Sequence, residues 1–84
     1  MIIFTKHAEE KFEILKHHGV VISRQKVIKT VDDPELVDNS RLPLKIAQAG
    51  FDSRRVLRVV YKEENEDKII ITFYPGRRTQ YEKR

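Results

Sequence analysis

Two strand-forming segments on either side of one acidic run constrain this chain more than any other feature. Residues 54–62 and 68–74 are dominated by Val, Ile, Leu, Phe and Tyr, and Glu63-Glu64-Asn65-Glu66-Asp67 between them is polar. If Asn65 centres the loop, Tyr61 faces Ile69, Val59 faces Ile71 and Leu57 faces Phe73. Three apolar pairs then share one face of a hairpin, and a slip of one residue would scramble them. A turn about Asp52-Ser53 adds residues 44–51 as a third strand, with Ile46 opposite Val59 and Leu44 opposite Tyr61. In this register the other face carries Lys45, Ala47 and Ala49 beside Arg58 and Tyr74. Arg58 lies opposite Thr72 and diagonal to Tyr74.

An apolar sheet face needs something to cover it, and the first half of the chain supplies two amphipathic helices. Residues 2–4 read as a short strand, after which the period changes. Ala8, Phe12 and Leu15 fall on one helical face, Thr5 suits the N-cap, and Gly19 suits the left-handed position past the C-terminus. The spacing predicts a helix over residues 6–18. Ser23 caps a second helix over residues 23–32, with Ile22 and Val27 placed as a hydrophobic staple and Pro34 as its stop. Its buried stripe is Val27, Ile28 and Val31. Residues 35–37 form a short strand candidate before turn chemistry. The expected architecture is α+β: one domain over residues 1–84, with two N-terminal helices on one face of a mainly antiparallel sheet of about four strands (residues 2–4, 44–51, 54–62 and 68–74), and a tail over residues 75–84.

Composition narrows the partners. Seventeen Lys and Arg against thirteen Asp and Glu leave a formal charge of +4, which favours an anionic partner such as nucleic acid or an acidic protein. There are no cysteines, so neither disulfides nor thiolate metal sites can brace a domain of this size. That absence fits a reducing cytoplasm. No apolar run approaches the roughly 20 residues of a membrane span, and no basic region precedes the first apolar residues as in a signal peptide.

The C-terminal stretch carries the chemistry. The strand over residues 68–74 leads into Tyr74-Pro75-Gly76-Arg77-Arg78, read as a strand ending in a turn, and Tyr81 follows. Binding single-stranded RNA requires cations for phosphates and flat rings for unstacked bases. Lys45, Arg58, Arg77, Arg78 and Arg84 are candidates for the first, Tyr74 and Tyr81 for the second. Cleaving RNA requires in addition a base for the 2′-hydroxyl proton, positive charge at the phosphorane and an acid for the leaving oxygen. Arg58, Arg77 and Arg78 suit the charge, and Tyr81 suits proton transfer. His7 stands in the first turn of the first helix, where the dipole disfavours an added positive charge, which makes it a candidate base. His17 and His18 diverge by about 100° on a helix and cannot chelate one metal together. No nucleotide-binding loop, zinc motif or nucleophile elbow is present, so no metal and no cofactor are expected.

The run FTKHAEEKFEILKHHG, the helix closing at Asp32-Asp33-Pro34, and RVLRVVYKEENEDKIIITFYP together resemble a family of small proteins related to RelE-like toxins. The likeness spans nearly the whole chain in element order. Thr5-Lys6-His7-Ala8 and IIITFYP are its most specific pieces. It implies a curved antiparallel sheet and, for the RelE-like ribonucleases, mRNA cleavage at the ribosome with neutralisation by an acidic antitoxin. Those enzymes use basic residues on the sheet and an arginine and a tyrosine toward the C-terminus, roles that fall by position on Arg58, Arg77 or Arg78, and Tyr81. The acidic hairpin at 63–67 departs from the better-known toxins, as do the fewer basic residues on the central strands. Two other readings stand beside it: a non-catalytic RNA- or protein-binding module of the same fold, and a toxin directed at a protein such as gyrase.

Overall fold

A computed structural model describes residues 1–82 of the chain. Strand β1 (Ile2–Phe4) and helix α1 (Lys6–His17) meet at Thr5, and one hydroxyl organises the joint. Thr5 Oγ1 accepts the Ala8 N–H at 3.2 Å and donates to Ile70 O at 2.9 Å, so the cap that starts the helix also ties it to the sheet. At the other end Gly19 adopts φ +80°. Its N–H and that of Val20 bond to Lys16 O and Leu15 O, closing off carbonyls the helix leaves unpaired. Helix α2 (Arg24–Asp32) begins where Ser23 Oγ accepts the Lys26 N–H at 3.0 Å. Ile22 and Val27, the two staple residues, are both buried.

The second half forms β2 (Leu36–Asp38), β3 (Lys45–Gly50), β4 (Arg55–Glu64), β5 (Asp67–Arg77) and a one-turn helix α3 (Arg78–Tyr81). The molecule is therefore α+β, with three helices and a five-stranded mixed sheet among the described residues. Strand order is β1-β5-β4-β3-β2. β1 runs parallel to β5 and the other neighbours are antiparallel. The expected four strands become five because the short candidate near residues 35–37 does join the sheet, one residue later, as β2.

Both long helices cover one face. Ala8 from α1 and Val27 and Val31 from α2 pack with Ala47, Leu57, Val59 and Phe73, and Phe12 closes the layer with its ring centroid 4.7 Å from that of Phe73. Each large side chain buried in this layer contributes roughly 1.5–3 kcal/mol. Of the expected α2 stripe, Val27 and Val31 are buried and Ile28 only half-buried. Thr30 takes the remaining buried place because its hydroxyl donates to Lys26 O at 2.7 Å.

Three features depart from the sequence reading, and all concern register. The β4–β5 hairpin turns tightly over Asn65 and Glu66, both at positive φ (50° and 73°), with Glu64 opposite Asp67. Tyr61 therefore pairs with Ile70 rather than Ile69. A bulge between Val60 and Tyr61 then leaves Ile71 as the extra residue, so Val59 pairs with Phe73 and Arg58 with Tyr74. At the other hairpin Lys45 pairs with Tyr61 and Ile46 with Val60, one residue away from the expected alignment. That slip turns Lys45, Ala47 and Ala49 to the helix side and puts Ile46 and Gln48 beside Arg58.

The tail also differs. Pro75 and Gly76 do not make a turn; β5 continues through them, opposite Leu57 and Val56. β1 pairs only with residues 68–70, so β5 is an edge strand at Pro75, where a missing N–H is tolerated. Residues 78–81 then fold into α3 instead of trailing away.

Candidate nucleic-acid interface

The open face, opposite the two long helices, is organised around a buried arginine. Arg58 side chain is 6% exposed, and three of its five N–H donors are taken by side chains of three different strands. Nε donates to the Tyr74 hydroxyl at 3.2 Å, Nη1 to Gln48 Oε1, and Nη2 to Asp38 Oδ2 at 2.9 Å. The register explains the convergence: Gln48 and Tyr74 are the direct cross-strand neighbours of Arg58, and Asp38 reaches it from β2. Burial works against the guanidinium charge, but the bonds to Tyr74 and Asp38 outweigh it and raise the pKa further. Asp38 is lowered to about 2, first by the hydroxyl and N–H of Ser40 and then by Arg58. The pair is fully ionised at neutral pH.

Tyr81 completes this cluster from α3. Its ring centroid lies 4.1 Å from the Arg58 guanidinium carbon, a cation–π contact, and the ring also rests on the backbone of Gly76. A Cβ at Gly76 would come within 2.4 Å of the ring, so only glycine at this position gives Tyr81 its place. Between Tyr81, Tyr74 and the strand floor lies an open cleft of about 490 Å³. Ile46 and Val60 form its apolar base, and Asp38, Ser40 and Arg41 its polar rim.

A second cleft, about 710 Å³, lies at the end of the β4–β5 ladder beyond α3. Arg54 lines it from the turn after β3, Arg55 from the start of β4, and Arg77 and Arg78 from the end of β5 and the start of α3. Asp52 shapes the turn: its carboxylate accepts the N–H groups of Arg54 and Arg55 at 2.9 and 2.7 Å and pairs with the Arg55 guanidinium. Those bonds lower the Asp52 pKa, the Arg55 side chain contributing most. Arg78 is tethered by Nε to Asp52 O at 2.9 Å and by Nη1 to Glu82. α3 is the ridge between the clefts, with Arg78 on one side and Tyr81 on the other.

The structure thus brings together Arg58, Tyr74 and Tyr81 in one cleft and Arg77 and Arg78 in its neighbour. Two expected residues stand apart. Lys45 is turned to the helix side and pairs with Glu63, which raises its pKa. His7 is exposed on α1, on the opposite side of the sheet from Arg58. Arg84 lies outside the described residues. Asp38, Arg54 and Arg55 line the two clefts, and Gln48 holds Arg58 beneath one of them, yet the sequence reading singles out none of the four. Only Asp52-Ser53-Arg54-Arg55, a turn ending in two arginines, carried a visible signal.

No helix among the described residues is long and apolar enough to cross a membrane. No protein-family model, curated protein or solved structure matches the chain.

Proposed function

We propose that this protein is a RelE-like toxin, a metal-independent endoribonuclease acting on mRNA in the cytoplasm, at the ribosome. The observation that carries this reading is the stacking of Arg58 and Tyr81 at 4.1 Å in an open, tyrosine-walled cleft. These are two of the residues that the sequence resemblance assigns to cleavage. They are 23 positions apart and come together only because β5 runs on past Pro75 and α3 folds back.

The chemistry is transesterification. The 2′-oxygen forms a bond to the adjacent phosphorus and the bond to the 5′-oxygen breaks, leaving a 2′,3′-cyclic phosphate and a 5′-hydroxyl. One proton leaves the 2′-oxygen and one is delivered to the 5′-oxygen. The Tyr81 hydroxyl is the group for one of these transfers. The two Arg58 N–H donors not used within the fold answer the charge that grows on the phosphorane. An acidic antitoxin would neutralise the same basic face.

A second reading, a non-catalytic RNA- or protein-binding module, is favoured by one specific contact. Asp38 already answers the Arg58 charge, which weakens what Arg58 can offer a phosphorane. Inducible expression with mapping of mRNA ends decides between them. The first reading requires growth arrest and discrete cuts that vanish in Tyr81→Phe. Intact mRNA and normal growth with well-expressed soluble protein would rule it out.

A further inference from the structure

We infer that the cleft between the Asp52–Arg55 turn and α3 binds a backbone phosphodiester of single-stranded RNA, with Arg54 and Arg77 as its two phosphate ligands. The inference rests on the open face being an RNA surface, as proposed above, but not on cleavage.

Charge arrangement is the first argument. Arg55 and Arg77 are direct cross-strand partners, a like-charge pairing that costs stability in a sheet. Arg54 and Arg78 bring two more guanidinium groups to the same cleft. The available carboxylates are already used: Asp52 on Arg55 and Glu82 on Arg78. Glu35, behind Arg78, accepts the Gly50 N–H at 3.0 Å. The side chains of Arg54 and Arg77 make no hydrogen bond or ion pair among the described residues. Two exposed guanidinium groups therefore face one cleft without an anion to answer them.

Rigidity is the second. Asp52 holds the turn through two backbone N–H groups, Phe51 and Asp52 N–H groups both bond to Arg55 O, and Arg78 N–H bonds to Arg54 O at 2.9 Å. Arg55 and Arg78 are fixed walls, and the two remaining arginines project from backbone that is already ordered. Ordered backbone beneath two free guanidinium groups lowers the ordering cost of closing them on a phosphate.

The neighbouring cleft decides which polyanion. An acidic peptide needs only cations. A single-stranded nucleic acid needs cations for its backbone alternating with flat rings for its bases, and Tyr81 and Tyr74 lie just across α3.

The test is the binding of a fluorescently labelled 2′-O-methyl single-stranded RNA, which lacks the attacking hydroxyl and cannot be cut by transesterification. Affinity is measured by anisotropy over a series of KCl concentrations. Each phosphate contact on a single strand contributes about −0.7 to the slope of log K against log salt, so Arg54→Gln/Arg77→Gln should flatten it by about 1.4. Arg54→Lys/Arg77→Lys should keep the wild-type slope, because lysine also neutralises a phosphate. An unchanged slope and affinity in the glutamine variant would overturn the inference. So would a wild-type protein that ignores the oligonucleotide yet binds polyaspartate through these arginines. Oligonucleotide binding with the expected slopes, alongside uncut cellular mRNA, would keep this site and remove the nuclease.

Discussion

Gly76 and Tyr81 occupy adjoining space so tightly that the smallest side chain at 76 would collide with the tyrosine ring, 2.4 Å from its nearest carbon. Tyr81 is on a single turn of helix and is the partner that can give way. Gly76→Ala should therefore displace Tyr81 from Arg58 at a cost of about 1 kcal/mol. In a Tyr81→Ala background the same change should cost nothing. A double-mutant cycle by urea unfolding checks the coupling, and mRNA-end mapping of Gly76→Ala checks whether the proposed cleavage needs the stacking on Arg58.

Arg58 holds the sheet together as well as standing in the proposed site. Removing it strands the Asp38 carboxylate, the Gln48 amide and the Tyr74 hydroxyl, two of which are half-buried and one buried. Arg58→Ala should cost about 3 kcal/mol or more, read from the denaturant midpoint. Any loss of the proposed cleavage in that variant has to be judged against its folded fraction.

Asp38 gives the sheet an acid-sensitive fastening. Its folded pKa, about 2, lies below the ordinary carboxylate value, so its contribution is fully present above about pH 4 and is lost as pH falls through about 2. The unfolding free energies of wild type and Asp38→Asn should differ by a constant amount above pH 4 and converge toward pH 2. A gap that is undiminished at pH 2 would show that the ionised carboxylate is not the source.

Two helix caps differ in what they join. Ser23 serves only the start of α2, and Ser23→Ala should cost about 1 kcal/mol. Thr5 also donates to the sheet, and Thr5→Ala should exceed it, at roughly 2 kcal/mol, in a thermal or denaturant titration.

Lys45 serves as an internal control for the proposed RNA surface. It lies on the helix side of β3 and already pairs with Glu63. Lys45→Ala should leave both the affinity for 2′-O-methyl RNA and its salt slope unchanged, in contrast to the arginine pair.

How far the sequence discloses this molecule depends on the scale. Helix limits were legible because Thr5, Gly19, Ser23 and Pro34 act within a few residues of themselves. The sheet faces were less so. KIAQAG offers Ile46 as the obvious residue for the helix-covered layer, yet that layer takes the small Ala47, and Ile46, also buried, floors the cleft on the open face. The β4–β5 turn is two residues, Asn65-Glu66, without the glycine that usually marks such turns, and nothing local announces the bulge at Ile71. These shifts on the β4–β5 ladder combine to leave Arg58 and Tyr74 on a common face, as expected from the pattern, but as direct partners. Asp38 was invisible because a three-residue strand has no periodicity of its own.

The parallel pairing of β1 with β5 sets an order of assembly. Ile2–Phe4 precedes both long helices, yet its partner, Lys68–Ile70, follows them and three further strands. The first strand must wait through the synthesis of both helices and three strands before it can dock. Arg77 and Tyr81 are made later still. A growing chain therefore carries both long helices well before it carries either cleft, and the surface proposed to meet RNA comes into being only after β1 to β4 have all been made.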